Sequence, residues 1–401
     1  MTAIPRYRPT TAPAVLSAGF RPFFLLAGFL GAGLIGAWTA MFAGWIAPPP
    51  TAWPPSLWHA HEMIFGYGAA ALAGFLLTAV PNWTGQMPLT GAPLFVLVLL
   101  LGLGRIAMAA EAPAGPLFTA LLDLAFPFTF IFVIAREIVS GRNWRNLPVL
   151  AALAVFTLAN ALTHAAFLGL PIDPALGARL GIAVLVMLIT LIGGRIVPSF
   201  TRNWLVRHRP DASPPRLFPA LERLTFALSA LALLLFVVAP EGAGGRALGV
   251  IALLAALCQA GRLFFWSGHA TWPEKLLFGL HLAYAWVAAG FALLAAASFA
   301  PARIPLTTAL HGLTIGAIGG MTLAVMTRAS LGHTGRDLHA TPAITAIYAA
   351  ASLAALLRLA PLLWPERSGV LIAASGLVWS GGFLLFLAVF APVLLLPRRR
   401  G

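Results

Sequence analysis

The chain has 401 residues, 60% hydrophobic and 9% charged, with a mean hydropathy of +0.92 and a formal net charge of +14. That balance excludes a soluble domain and implies a polytopic membrane protein whose first partner is the lipid bilayer. In a soluble chain the charge would suggest nucleic acid, but loop asymmetry accounts for it here and no nucleic-acid partner is expected.

Residues 1–20 carry Arg6 and Arg8 with no apolar core or small-residue cleavage site, so they read as a cytoplasmic segment before an uncleaved first helix. A crossing needs about 20 apolar residues. Hydrophobic runs set against Pro, Gly and charged breaks predict twelve spans: roughly 21–46, 57–80, 92–110, 116–139, 147–169, 175–198, 219–239, 244–266, 274–298, 305–328, 342–363 and 369–396. The expected fold is all-α, one transmembrane domain over residues 1–401, with a basic cytoplasmic loop at 199–218 and a basic tail at 397–401. Of the 25 Lys and Arg residues, all but Arg105, Arg179, Arg246, Arg303, Arg358 and Arg367 fall on one side of this arrangement, which makes both termini cytoplasmic.

The second span opens with WHAHEMIFGY, Trp58 to Tyr67. His59 and His61 are two residues apart, about 200° around an α-helix, so they face nearly opposite sides and one helix end can serve two sites. At α-helical spacing Glu62 shares the face of His59, where it would fix the imidazole tautomer or ligate a cation. The Gly- and Ala-rich continuation suits either close helix packing or room for a flat macrocycle.

The third span carries Arg105, the fourth Asp123, and the fifth Asn160 and His164, which share a face. His311 lies about 9 Å into the tenth span. Four histidines from three helices therefore meet at similar outer depth, among polar groups that in hydrocarbon normally face a bundle interior. Arg105 is expected to meet a haem propionate, or else to pair with Asp123 or Glu111. Glu62 and Asp123 are the acids placed for an outer proton path.

The single cysteine, Cys258, excludes an intrachain disulfide, a Cys-rich zinc site and an iron–sulfur cluster, and no C-x-x-C-H run is present. Any haem would be non-covalent, b-type and held by histidine. His59, His61 and His311 read either as interfacial histidines bonded to loops or, with the haem and copper that the family resemblance given below implies, as axial imidazoles from His61 and His311 on a haem and copper at His59 with His164 and Glu62 nearby. Imidazole suits both metals, so which helix-2 histidine serves which stays open. His281, in the ninth span, and His333, after the tenth, form a second-tier pair near the opposite side, where His208, His269 and His339 also fall.

A faint echo joins the ends of spans two, six and ten, TAVPNWT, RIVPSFT and LAVMTRA, and suggests three four-helix units. Five motifs in order, GFRPFF, WHAHEMIFGY, GGRIVPSFTRNWL, HLAYAW and HGLTIGAIGGMTLAVMTRASLGHTGR, make the chain resemble the NnrS family over nearly its whole length. That resemblance implies a haem- and copper-containing bacterial inner-membrane protein connected with nitric oxide, nitrosative stress and denitrification, with an oxidoreductase activity on nitric oxide left open. The plan is also similar to haem–copper oxidases in its helix-2 and helix-10 histidines. It departs from them in offering one histidine on the tenth span and none on the sixth and seventh. The alternatives are a transition-metal transporter and a haem or copper delivery factor.

Overall fold

Residues 12–398 are described by a computed structural model, so Arg6, Arg8, Arg399 and Arg400 lie outside the described residues. Regular structure among the described residues is entirely helical. Twelve helices are long and apolar enough to cross a membrane. They are α1 (Phe20–Phe42), α2 (Pro55–Thr84), α3 (Ala92–Ala109), α4 (Pro116–Ser140), α5 (Trp144–Phe167) and α6 (Leu176–His208). The second half comprises α7 (Pro219–Val238), α8 (Gly242–Phe264), α9 (Lys275–Phe299), α10 (Leu306–His333), α11 (Pro342–Leu362) and α12 (Pro365–Leu395).

Eleven of the spans expected from hydrophobic runs shift by no more than a few residues at most ends, but α6 differs. It was expected to stop at Pro198, and instead continues through it to His208. Proline removes one backbone donor and crowds the preceding turn without obliging the chain to leave the helix, given neighbours that hold it. Pro81 sits inside α2 in the same way. The basic loop therefore shrinks to 209–218, where the Arg216 N–H donates to the Phe265 carbonyl at 2.9 Å.

Short connections set consecutive helices side by side, and α12 returns to pack along α1, closing the ring. The seam between them is held by Trp379 Nε1 donating to Gly31 O at 2.8 Å and Ser380 Oγ to Ala32 O at 3.1 Å. At its far end Arg21 Nη1 donates to the carbonyls of Leu394 (2.8 Å) and Leu396 (2.6 Å), satisfying groups that a helix C-terminus leaves open. The GFRPFF motif is thus a seam element: Phe20, Phe23 and Phe24 are buried beside it.

Three helices stand in the middle. α2, α6 and α10 contact one another, and are 72%, 67% and 67% buried, whereas no other span exceeds 50%. Each of the three also carries a stretch of wider π-helical winding: Glu62–Gly68 in α2, Ile189–Gly193 in α6 and Gly312–Gly319 in α10. π-Helical turns are rare and gather at functional sites. Recurring every fourth helix, the pattern is that of three units about a common axis. Glycines of α10 admit the neighbours: a Cβ on Gly316 would overlap Trp286 of α9, and one on Gly319 would overlap Trp379 of α12.

The tightest backbone approach lies between α5 and α6, where a Cβ on Gly177 would overlap Thr163 Oγ1 and the Ala159 carbonyl oxygen. Backbone cannot swing aside as a side chain can. Gly177→Ala is expected to destabilise the folded protein by about 1–3 kcal/mol, lowering its thermal unfolding temperature in detergent. Gly33→Ala, where nothing lies within 4 Å, is expected to leave that temperature unchanged or slightly raised.

Candidate functional site

The first segment of α2, Pro55–His61, is α-helical, and π-helical winding begins at Glu62. His59 and His61 therefore leave the helix on opposite sides, as their spacing requires, and each enters a different environment.

His61 is fully buried within a polar cluster drawn from α2, α3, α4 and α5. Its Nε2 lies 3.1 Å from Asp123 Oδ2 and 2.9 Å from Asn160 Oδ1, while Nδ1 lies 3.2 Å from Glu62 Oε1. His164 Nε2 meets the same Asp123 Oδ2 at 2.9 Å, and Asn160 Nδ2 donates to it at 2.8 Å. Arg105 pairs with both Glu62 and Asp123. Glycine makes room for this: a Cβ on Gly66 would stand 3.0 Å from Arg105 Cδ, and one on Gly104 would stand 2.9 Å from Asp123 Oδ1.

The proton count of this cluster is informative. Both nitrogens of His61 face carboxylate oxygens, yet neutral imidazole has one N–H to donate. One guanidinium also faces two carboxylates, leaving one negative charge uncompensated if both imidazoles are neutral. A buried charge is costly unless balanced, so the cluster is completed by one added cation, a proton or a metal ion. One ligand atom each from His61, Asp123 and His164 lie within 4.8 Å of one another, the only such group found among the described residues.

Trp53, from the connection before α2, covers the cluster. Its ring stands edge-on to His61 at 4.9 Å and to His164 at 5.3 Å, and stacks on Phe167 at 4.2 Å. The same connection reaches Glu111, whose carboxyl burial pushes up in pKa, an effect opposed by a hydrogen bond from the backbone of Ala52.

His59 faces a cavity of about 410 Å³ enclosed by α1, α2, α6, α10, α11 and α12. His311 faces the same space, with Arg358 and Arg179 at its polar margin and an otherwise apolar lining. Trp38 stacks on the His59 ring at 4.5 Å, nearly parallel at 14°. The Thr307 carbonyl, 2.6 Å from His311 Nδ1, can only accept, so Nδ1 carries the proton and Nε2 keeps its lone pair. Among the described residues neither nitrogen of His59, nor Nε2 of His311, nor the guanidinium of Arg358 has a hydrogen-bond or ion-pair partner. Arg179, by contrast, donates to Asp173 Oδ2 at 2.6 Å and to Val237 O at 3.1 Å.

The groupings expected from spacing are thus exchanged. His59, not His61, joins His311, and His61, not His59, joins His164 and Glu62. Glu62 does not serve His59, because its carboxylate is taken by Arg105 and by His61, its neighbour in the chain. Arg105 is held in the cluster, on the other side of α2 from the cavity, and does not meet Glu111. His281 accepts or donates to Thr201 Oγ1 at 2.8 Å beside Trp266, whereas His333 packs on Phe20, so that pair is not brought together. Arg358, Arg179 and Trp38 were not singled out, although both arginines stood on the side where basic residues are scarce.

The family model described as NnrS protein matches residues 14–398. The chain belongs to the NnrS family. Membership makes it a nitric-oxide-related, multi-pass membrane protein. No curated protein matches it. The five motifs of this NnrS-family chain now have places: three supply the central helices α2, α6 and α10, one the α1–α12 seam, and HLAYAW the face of α9 against Trp266.

Removing Arg105 leaves Glu62 and Asp123 without their shared cation in a buried site. Arg105→Ala is expected to cost about 3–5 kcal/mol. Asp173→Ala, which removes an ion pair whose carboxylate is 52% exposed, is expected to change stability by less than about 1 kcal/mol. Thermal unfolding of the purified variants in one detergent separates the two.

Proposed function

We propose that this chain is a haem- and copper-binding protein of the bacterial inner membrane that binds nitric oxide within its periplasmic half, with both termini cytoplasmic. The observation that carries this reading is the partition made by α2. On one face lies an apolar cavity that receives the unpartnered imidazole of His59, the open Nε2 of His311 and an unpartnered guanidinium, and on the other a buried His–His–Asp cluster short of one positive charge.

The residues fit the two groups. A cavity of about 410 Å³ is of cofactor size, and its lining is what a porphyrin face requires. His59 and His311 would hold the iron, with the Nδ1–H···O bond to Thr307 fixing the His311 tautomer. Arg358 would meet a propionate, with Arg179 nearby but bonded to Asp173 and the Val237 carbonyl, and Trp38 would hold the orientation of the His59 ring. Copper suits the imidazole and carboxylate donors of His61, His164 and Asp123, with Arg105, Glu62 and Asn160 orienting them. Iron held there would supply an open-shell centre for nitric oxide, which would take the place of one of the two imidazoles, and copper would supply a one-electron couple.

The protein's own contribution is binding, orientation and exclusion of water. Nitric oxide is small and uncharged, so it enters from the bilayer and needs no aqueous channel. Three units closed by the α1–α12 seam do not offer the two rocking halves that a transporter uses.

The test is the metal and haem content of single variants expressed and purified alike. His59→Ala and His311→Ala are expected to lose the haem absorption and keep copper. His61→Ala and His164→Ala are expected to keep haem and lose copper, and His208→Ala, which stacks on Trp204 away from both, to keep both. Equal haem in all five would contradict the assignment.

A further inference from the structure

Between α2, α6 and α10, with Phe24 of α1 at one side, lies a second and smaller cavity of about 80 Å³. Its walls include Ala71 and Leu72 of α2, Leu188 and Ile192 of α6, and Met321 and Val325 of α10. The cause of the space is visible in the winding. Gly68, Ile189, Gly193 and Ile318, which belong to the three π-helical stretches, all border it, so the central helices are wound wide at one level and do not close on one another.

The cavity adjoins the larger one, since Leu185 and Ile318 line both. A single polar contact marks the seam: Tyr67 lines the larger cavity, Thr322 the smaller, and their hydroxyls are hydrogen-bonded. Thr322 Oγ1 also donates to the carbonyl of Ile318 at 2.8 Å or Gly319 at 2.9 Å, so Tyr67 is the donor between the two. The donors of both hydroxyls are thereby taken, and the lining of the small cavity is almost wholly apolar.

Such a space selects its occupant. A dry apolar cavity of about 150 Å³ admits benzene or xenon and excludes water, which needs two or more polar partners. One of about 80 Å³ is too small for a lipid chain or an aromatic ring. We propose that the smaller cavity is a holding site for an uncharged diatomic gas, which passes from it into the His59–His311 cavity between Leu185, Ile318 and Tyr67. The holding site stands on its own geometry; the onward passage to a metal rests on the haem reading.

Xenon and carbon monoxide separate the two. Crystals of the full chain pressurised with xenon are expected to show an anomalous peak between Ala71, Ile192 and Met321, which Ile192→Phe abolishes. Ala71→Val, a smaller intrusion, is expected to weaken the peak if Ile192→Phe does not fold. No xenon at that position in the wild-type chain would overturn the holding site, whether or not haem is present. In haem-loaded protein, recombination of carbon monoxide after flash photolysis is expected to slow several-fold in Ile192→Phe at unchanged haem content. Xenon binding with an unaltered recombination rate would overturn the passage while leaving the site.

Discussion

His59 and His61 stand in the last α-helical turn of α2 before π winding begins at Glu62, and their two-residue spacing sends the side chains to opposite faces. Glu62 then pairs with Arg105 and His61 on the cluster face, which leaves His59 to the cavity. The same winding in α10 begins immediately after His311. Two histidines on different helices are thus each set at an α-to-π junction, and the central helices held apart at that level leave space between them.

Electrostatics then divides the labour between the faces. The cluster side gathers Arg105, Glu62, Asp123, His61, His164 and Asn160 under Trp53, each bonded to another, with one negative charge in excess of the guanidinium when both imidazoles are neutral. The cavity side has an apolar wall on which His59, Nε2 of His311 and Arg358 have no hydrogen-bond or ion-pair partner among the described residues, while Arg179 is paired. On the reading proposed above, the paired groups would hold a small ion in a fixed geometry, and the unpaired groups around open space would meet a large, mostly apolar ligand with a few charged points. A single helix keeps the two apart.

The architecture was legible in the sequence because a bilayer demands long apolar runs, and because arginine and lysine count the crossings. Asn160 and His164 were legible as one face because α5 is an ordinary α-helix, four residues apart meaning one turn. The grouping of the helix-2 histidines was not, since it depends on α10 packing against one face of α2 and α4 and α5 against the other, contacts between distant residues that spacing within α2 does not contain. Pro198 misled in a similar way, as helix neighbours tolerate a proline that local propensity treats as a stop. Arg358 was visible only as a basic residue on the sparsely charged side. Its meaning depends on α11 packing beside α10, a contact between distant residues that spacing along one helix does not reveal. Arg105 and Arg179 share that origin, and each proves to be paired within the protein. Basic residues that break the positive-inside pattern were therefore the unused signal.

The central claim is that α2 separates two metals, iron on the side of His59 and copper on the side of His61. Anomalous diffraction from crystals of the metal-loaded protein, collected at the iron and copper edges, tests it most directly. The account expects an iron peak within the cavity between His59 and His311, and a separate copper peak among His61, His164 and Asp123. Iron among His61, His164 and Asp123, or both metals on one face of α2, would contradict it.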